Sequence, residues 1–243
     1  MTDRPVVGDP SPSPASAPDP PRWGLGDATA GFLLGLFLSL LLASLWIQAS
    51  GSDELSVGLF AASIAGNWIG LGGAVWVASR RKGSGSLAAD FGLRVEKADI
   101  GPGLLAGVLS QLVLIPVLYV PVHRLFPDVD VSQEAKKVTD LAQGGGIALI
   151  AACIVLGAPL IEELFFRGLL QRSAGRRFGP RAAVAISAVT FGLAHFQPVQ
   201  LLGLIAFGVV LGVLAQRAGR LGPSLVAHMA FNATTVAVLL ATR

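Results

Sequence analysis

The chain alternates long apolar runs with short polar ones, and the runs have the length that a bilayer asks of a helix. Roughly 20 apolar residues span ~30 Å of hydrocarbon. On that measure the pattern predicts seven spans, to within one. They run from about Ala28 to Ala49, Leu55 to Ala78, Ile100 to Val122, a fourth that begins near Gly146, Ala182 to Phe196, Val199 to Ala215, and Pro223 to Ala241. The polar stretches SGSDE, RRKGSGSLAADFGLRVEKAD and HRLFPDVDVSQEAKKVTD separate the first four. The predicted fold class is therefore all-α, a polytopic membrane helical bundle.

The first 24 residues differ from the rest. Their core, SPSPASAPDPPR, buries too little apolar surface to fold, which predicts a disordered tail. It lacks the basic start of a signal peptide, and the run after it is too long for a signal core, so that run is read as a retained span. The chain then divides into residues 25–140, with three spans and their loops, and residues 141–243, where the polar groups with chemical interest gather.

Composition agrees with a membrane protein. The 243 residues are 53% hydrophobic and 14% charged, with a mean hydropathy of +0.67, well away from a soluble domain. A single cysteine, Cys153, rules out a disulfide or paired-cysteine metal site within the chain. The bilayer itself is one expected partner. No basic face with reading elements marks a nucleic-acid partner. Fourteen of the 18 Lys and Arg fall on the side of the amino terminus, and only Arg124, Lys136, Lys137 and Arg243 on the other. That asymmetry puts the amino terminus in the cytoplasm of a plasma membrane of bacterial type. Glycines such as Gly66, Gly70, Gly72 and Gly73, and Gly203, Gly208 and Gly212, are read as sites of close helix packing.

The costly residues organise the reading. The stretch APLIEELFFRGLLQR places Glu162, Glu163 and Arg167 inside an apolar run. Each ionisable group there costs on the order of 2.5 to 3.5 kcal/mol to insert. Glu163 and Arg167 stand four apart in the favourable order for a same-helix pair. Glu162 points about 100° away and needs another partner. His195 is the expected one, because it and Glu162 lie almost equally far on either side of the Gly179–Pro180 turn, at nearly equal depth in two antiparallel helices. Phe191 lies one turn before His195, where its ring would wall the site. His228 and Asn232, again four apart, share a face of the last span. A carboxylate beside a neutral imidazole can move a proton from water to a leaving amine. A second imidazole and an amide can hold an oxyanion.

These motifs, EExxxR at Glu162, Glu163 and Arg167, FxxxH at Phe191 and His195, and HxxxN at His228 and Asn232, resemble the CPBP family, the membrane-embedded CAAX proteases and bacteriocin-processing enzymes also called Abi. The resemblance covers about Leu141 to Thr242. It implies that Glu162 with His195 activates water, that His228 and Asn232 stabilise the oxyanion, and that Glu163 and Arg167 hold the helix. It also implies a cavity open to the cytosol and to lipid. The expected function is an intramembrane endopeptidase acting on a membrane-anchored peptide or protein, CAAX-like or prenylated substrates included. No cofactor is expected. A zinc site made by Glu162, His195 and His228 stays open, as do a scaffold or bacteriocin-immunity role and a proton-coupled carrier.

Overall fold

The computed structural model describes residues 21–128, 133, 136 and 146–242. Nearly all of the expected disordered tail, and most of the polar stretch after His123, lie outside the described residues.

Among the described residues every regular element is a helix. In chain order they are α1 (Leu25–Ser50), α2 (Val57–Lys82), the short α3 (Leu87–Phe91), α4 (Lys97–Leu125), α5 (Leu149–Phe178), α6 (Pro180–Leu193), α7 (Leu201–Ala218) and α8 (Gly222–Ala241). Six of these are long and apolar enough to cross a membrane: α1, α2, α4, α5, α7 and α8. The bundle is therefore a polytopic membrane fold. Its outward faces carry large apolar side chains, such as Leu40 at 70% exposure and Val117 at 63%, as lipid contact requires.

The fifth predicted span is shorter than expected, and six spans fall within one of the predicted seven. The run from Ala182 to Phe196 forms only α6, 14 residues long, or about 21 Å at 1.5 Å per residue. Apolar counting carried the helix past Leu193, yet the chain there turns, with Phe196 at φ 52°, ahead of Pro198, whose ring disfavours a helical residue before it. His195 consequently sits in a turn after α6 rather than within a span.

Close helix contact explains some of the glycines. A Cβ on Gly70 would come within 2.3 Å of the Gly35 Cα, and one on Gly66 within 2.3 Å of the Leu38 carbonyl oxygen, so α1 and α2 touch backbone to backbone. Gly73 meets nothing within 4 Å and is not part of this seam. Gly70→Ala should accordingly destabilise the protein by about 1–3 kcal/mol through overpacking, while Gly73→Ala should be neutral or better, as read by thermal unfolding in detergent.

One end of the bundle is tied by ion pairs. Arg220 holds Asp99 through two hydrogen bonds, of 2.6 and 3.1 Å, and Lys82 reaches Asp27 at 2.6 Å. Burial pushes the Asp90 carboxyl up, but the Ser79 hydroxyl at 2.5 Å and the Ser84 N–H at 2.9 Å together hold it below the usual carboxylate range. These contacts tie the end of α2 to the start of α1 and to α3, and the turn between α7 and α8 to the start of α4.

Candidate active site

Helix α5 is wound wide where the chemistry lies. It has i→i+5 turns over Cys153–Gly157 and Glu163–Gln171, a geometry often found at functional sites. The sequence supplies one cause. Pro159 has no N–H to offer the Ile154 carbonyl, and the Ala158 N–H bonds Cys153 instead. The orphaned Ile154 oxygen must find another donor. Asn232 of α8 provides it, its Nδ2 donating at 2.8 Å. Asn232→Ala should leave that carbonyl unpaired and cost about 1–3 kcal/mol, measurable as a lowered thermal midpoint, with loss of any direct contribution to turnover.

The wide second stretch lines up Glu163, Arg167 and Gln171, whose side chains are all buried. Arg167 Nη1 donates to Glu163 Oε1 at 3.0 Å, the pair expected from the spacing. Two further donors fasten α5 to α7, with Arg167 Nη2 to the Gly208 carbonyl at 3.2 Å and Gln171 Nε2 to the Gly212 carbonyl at 2.9 Å. The packing there is tight, since a Cβ on Gly212 would lie 2.9 Å from Gln171 Oε1 and one on Gly208 would lie 3.0 Å from Ala188 Cα. Arg167 also lies over the Phe191 ring, its Cζ 4.5 Å from the centroid.

Glu163 does more than hold its helix. Its Oε1 also meets His228 Nδ1 at 3.0 Å, which orients the imidazole so that Nε2 faces Glu162 Oε2 at 3.6 Å. His228 thus bridges the two glutamates, a link between α5 and α8 that helical spacing could not show. Phe191 and Phe207 flank its ring edge-on, each with centroids 5.6 Å away. With Nδ1 donating to Glu163, a neutral His228 presents an unprotonated Nε2 to Glu162.

The expected contact between Glu162 and His195 is corrected. The two line the same space without a hydrogen bond or an ion pair between them. His195 Nδ1 bonds the Phe191 carbonyl at 2.8 Å, which fixes the ring with Nε2 as its free nitrogen. Helical counting places the two residues along their helices but does not set which way a ring turns, and the turn after α6 decides that.

A cavity of about 260 Å³ joins the parts, lined by Glu162, Phe191, His195, His228 and Asn232 among others. All four expected catalytic residues reach it, and Glu163 and Arg167 stand behind it. A second space of about 120 Å³ touches Glu162 and His195 from the side of α1 and α2, where Asn67 lines it. The Asn67 Oδ1 is buried and has no protein partner. Asn67 was missed from the sequence, although an amide in the middle of an apolar span is a signal of its own. Among the described residues no three His, Cys, Asp or Glu side chains are grouped closely enough to share a metal ion. Glu162, His195 and His228 are thus not drawn together as a ligand cluster here.

Residues 144–234 match the family model described as Rce1-like, type II CAAX prenyl endopeptidase. That segment holds every one of the site residues, from Glu162 to Asn232, and the resemblance drawn from the three motifs is borne out over it. Helices α1 to α4 lie outside the match. No curated protein and no solved structure matches the chain.

Proposed function

We propose that this chain, similar over residues 144–234 to type II CAAX prenyl endopeptidases, is an intramembrane endopeptidase that hydrolyses a membrane-associated peptide with glutamate-activated water. One observation carries the reading: Glu162, His195, His228 and Asn232 come from two spans and a turn and converge on one cavity of about 260 Å³. Isolated polar groups of a structural kind would pair off and leave no space between them.

In the proposed reaction Glu162 takes a proton from water held between it and His195 Nε2, and the oxygen adds to the scissile carbonyl. Glu162 passes that proton to the facing His228 Nε2, 3.6 Å away, and the oxyanion is held by Asn232 and by the protonated His228, with Glu163 as the counter-charge at Nδ1. The C–N bond then breaks, and the proton taken from water goes to the leaving amine. Glu163 and Arg167 position His228 and do not touch substrate. No step is routed through a metal.

The test uses the purified full chain in detergent with a quenched fluorescent peptide. His195→Ala should lower turnover by about 10²–10⁴-fold with the thermal midpoint held, and a metal chelator should leave the wild type unaffected. Full turnover in His195→Ala removes His195 from the mechanism. Chelator-sensitive turnover restored by zinc would overturn the metal-free step.

A further inference from the structure

The two ends of the bundle differ in charge, and the reactive cavity reaches only one of them. At the first end lie the start of α1, the end of α2, the α3 loop, the α5–α6 turn and the α7–α8 turn. It is basic, with Arg80, Arg81, Lys82, Arg176, Arg177 and Arg181 among its charges. At the other end the 51–56 loop carries Asp53 and Glu54, and the turn 194–200 carries no Lys, Arg, Asp or Glu. Short basic loops are retained in the cytoplasm. Arg167 is buried beside Glu163 and drops out of this comparison, which leaves the asymmetry intact.

From Glu162 and His228 in mid-bundle the cavity wall runs to Ile154 near the start of α5, Phe60 near the start of α2, and Leu239 near the end of α8, with Gln197 and Gln200 of the turn. All of these lie toward the end that carries Asp53 and Glu54, where only Arg124, Lys136, Lys137 and Arg243 of the 18 Lys and Arg fall. A separate, larger cavity of about 580 Å³ enters from the basic end past Trp23, Arg172 and Arg176, and stops at Arg167 and Gln171. Between the two stand Glu163, Arg167 and Gln171, at 1%, 1% and 5% exposure, bonded to one another or to the α7 backbone. This layer separates the carboxylate from the basic side.

We propose that the catalytic cavity is entered from the non-cytoplasmic face, and that its substrate is a neutral, largely apolar peptide segment emerging on that face, such as the juxtamembrane stretch of an exported, membrane-anchored chain. Beyond the site residues the wall offers Phe, Ile, Leu, Val and the uncharged Gln197, Gln200 and Thr235, which suits such a segment and gives a charged one no partner. The cytosolic opening implied by the family resemblance and a cytoplasmic basic end exclude one another in this geometry. What happens to the bound segment rests on the endopeptidase reading. The side of entry does not.

The experiment uses the full chain with Cys153→Ala, expressed in intact bacterial cells, and a membrane-impermeant maleimide. Ser52→Cys reports the end opposite the basic one, Gln197→Cys the cavity, and Arg177→Cys the basic end. The first two should label in intact cells and the third only after permeabilisation. The reverse pattern, or a Gln197→Cys that stays unlabelled in both conditions, overturns the proposal. A second arm displays one neutral apolar segment on either face of a membrane-anchored reporter. Cleavage of the non-cytoplasmic display by wild type and not by Glu162→Gln supports the proposal, and cleavage of only the cytoplasmic display overturns it. If labelling is as expected and neither reporter is cut, the side of entry stands and the endopeptidase reading falls.

Discussion

Glu162→Gln should abolish peptide cleavage, with turnover down by at least about 10²–10⁴-fold, while the folded protein keeps its thermal midpoint. The amide has nearly the shape of the carboxylate but cannot take a proton from water. Little structure depends on the charge. Glu162 borders two cavities, and its nearest ionic neighbour, His228 Nε2, is 3.6 Å away, beyond good hydrogen-bond distance. The comparison that decides is Glu163→Gln, which should lose stability as well as activity, because Glu163 holds both Arg167 and His228 at 3.0 Å. A Glu162→Gln protein that cleaves peptide at the wild-type rate would remove the catalytic assignment. A biological activity that survives the substitution would move the chain to the scaffold or immunity reading.

Arg167→Met should destabilise the protein by about 3–5 kcal/mol, the range for removing one partner of a buried ion pair. Arg167 is 1% exposed, and Glu163, also at 1%, would be left with its charge in an apolar surround. The link to the Gly208 carbonyl on α7 would go as well. The double variant Glu163→Gln, Arg167→Met should recover much of the lost stability, since neither charge then remains to be buried. It should not recover turnover, because His228 would no longer have an anion at Nδ1. Unfolding midpoints of the wild type, both single variants and the double variant form a cycle that measures the coupling. Additive effects in that cycle would show that the pair is not the clamp described.

Most of the site was legible because its residues offend the membrane pattern around them. Glu162, Glu163, Arg167, His228 and Asn232 stand in runs otherwise fit for lipid, and i,i+4 spacing alone pairs Glu163 with Arg167 and aims His228 and Asn232 together. The contact of His228 with both glutamates was not legible. It depends on how α8 is rotated against α5, which no spacing within one helix encodes. Asn67 escaped for a related reason: Glu162 and His195, which share its cavity, come from α5 and the turn after α6, far from it in the chain.

Hydropathy and helical period are properties of consecutive residues, and they are enough to make this a helical membrane protein with a polar centre in its second half. Local pattern leaves open that α6 stops short, that His195 turns its Nδ1 to the Phe191 carbonyl, that His228 rather than His195 stands nearest Glu162, and that the cavity runs away from the basic end. Each of those depends on the packing of segments distant in the chain, where a Pro without an N–H, a glycine that admits a neighbouring backbone or a carbonyl without a donor selects one arrangement from several that local pattern allows equally.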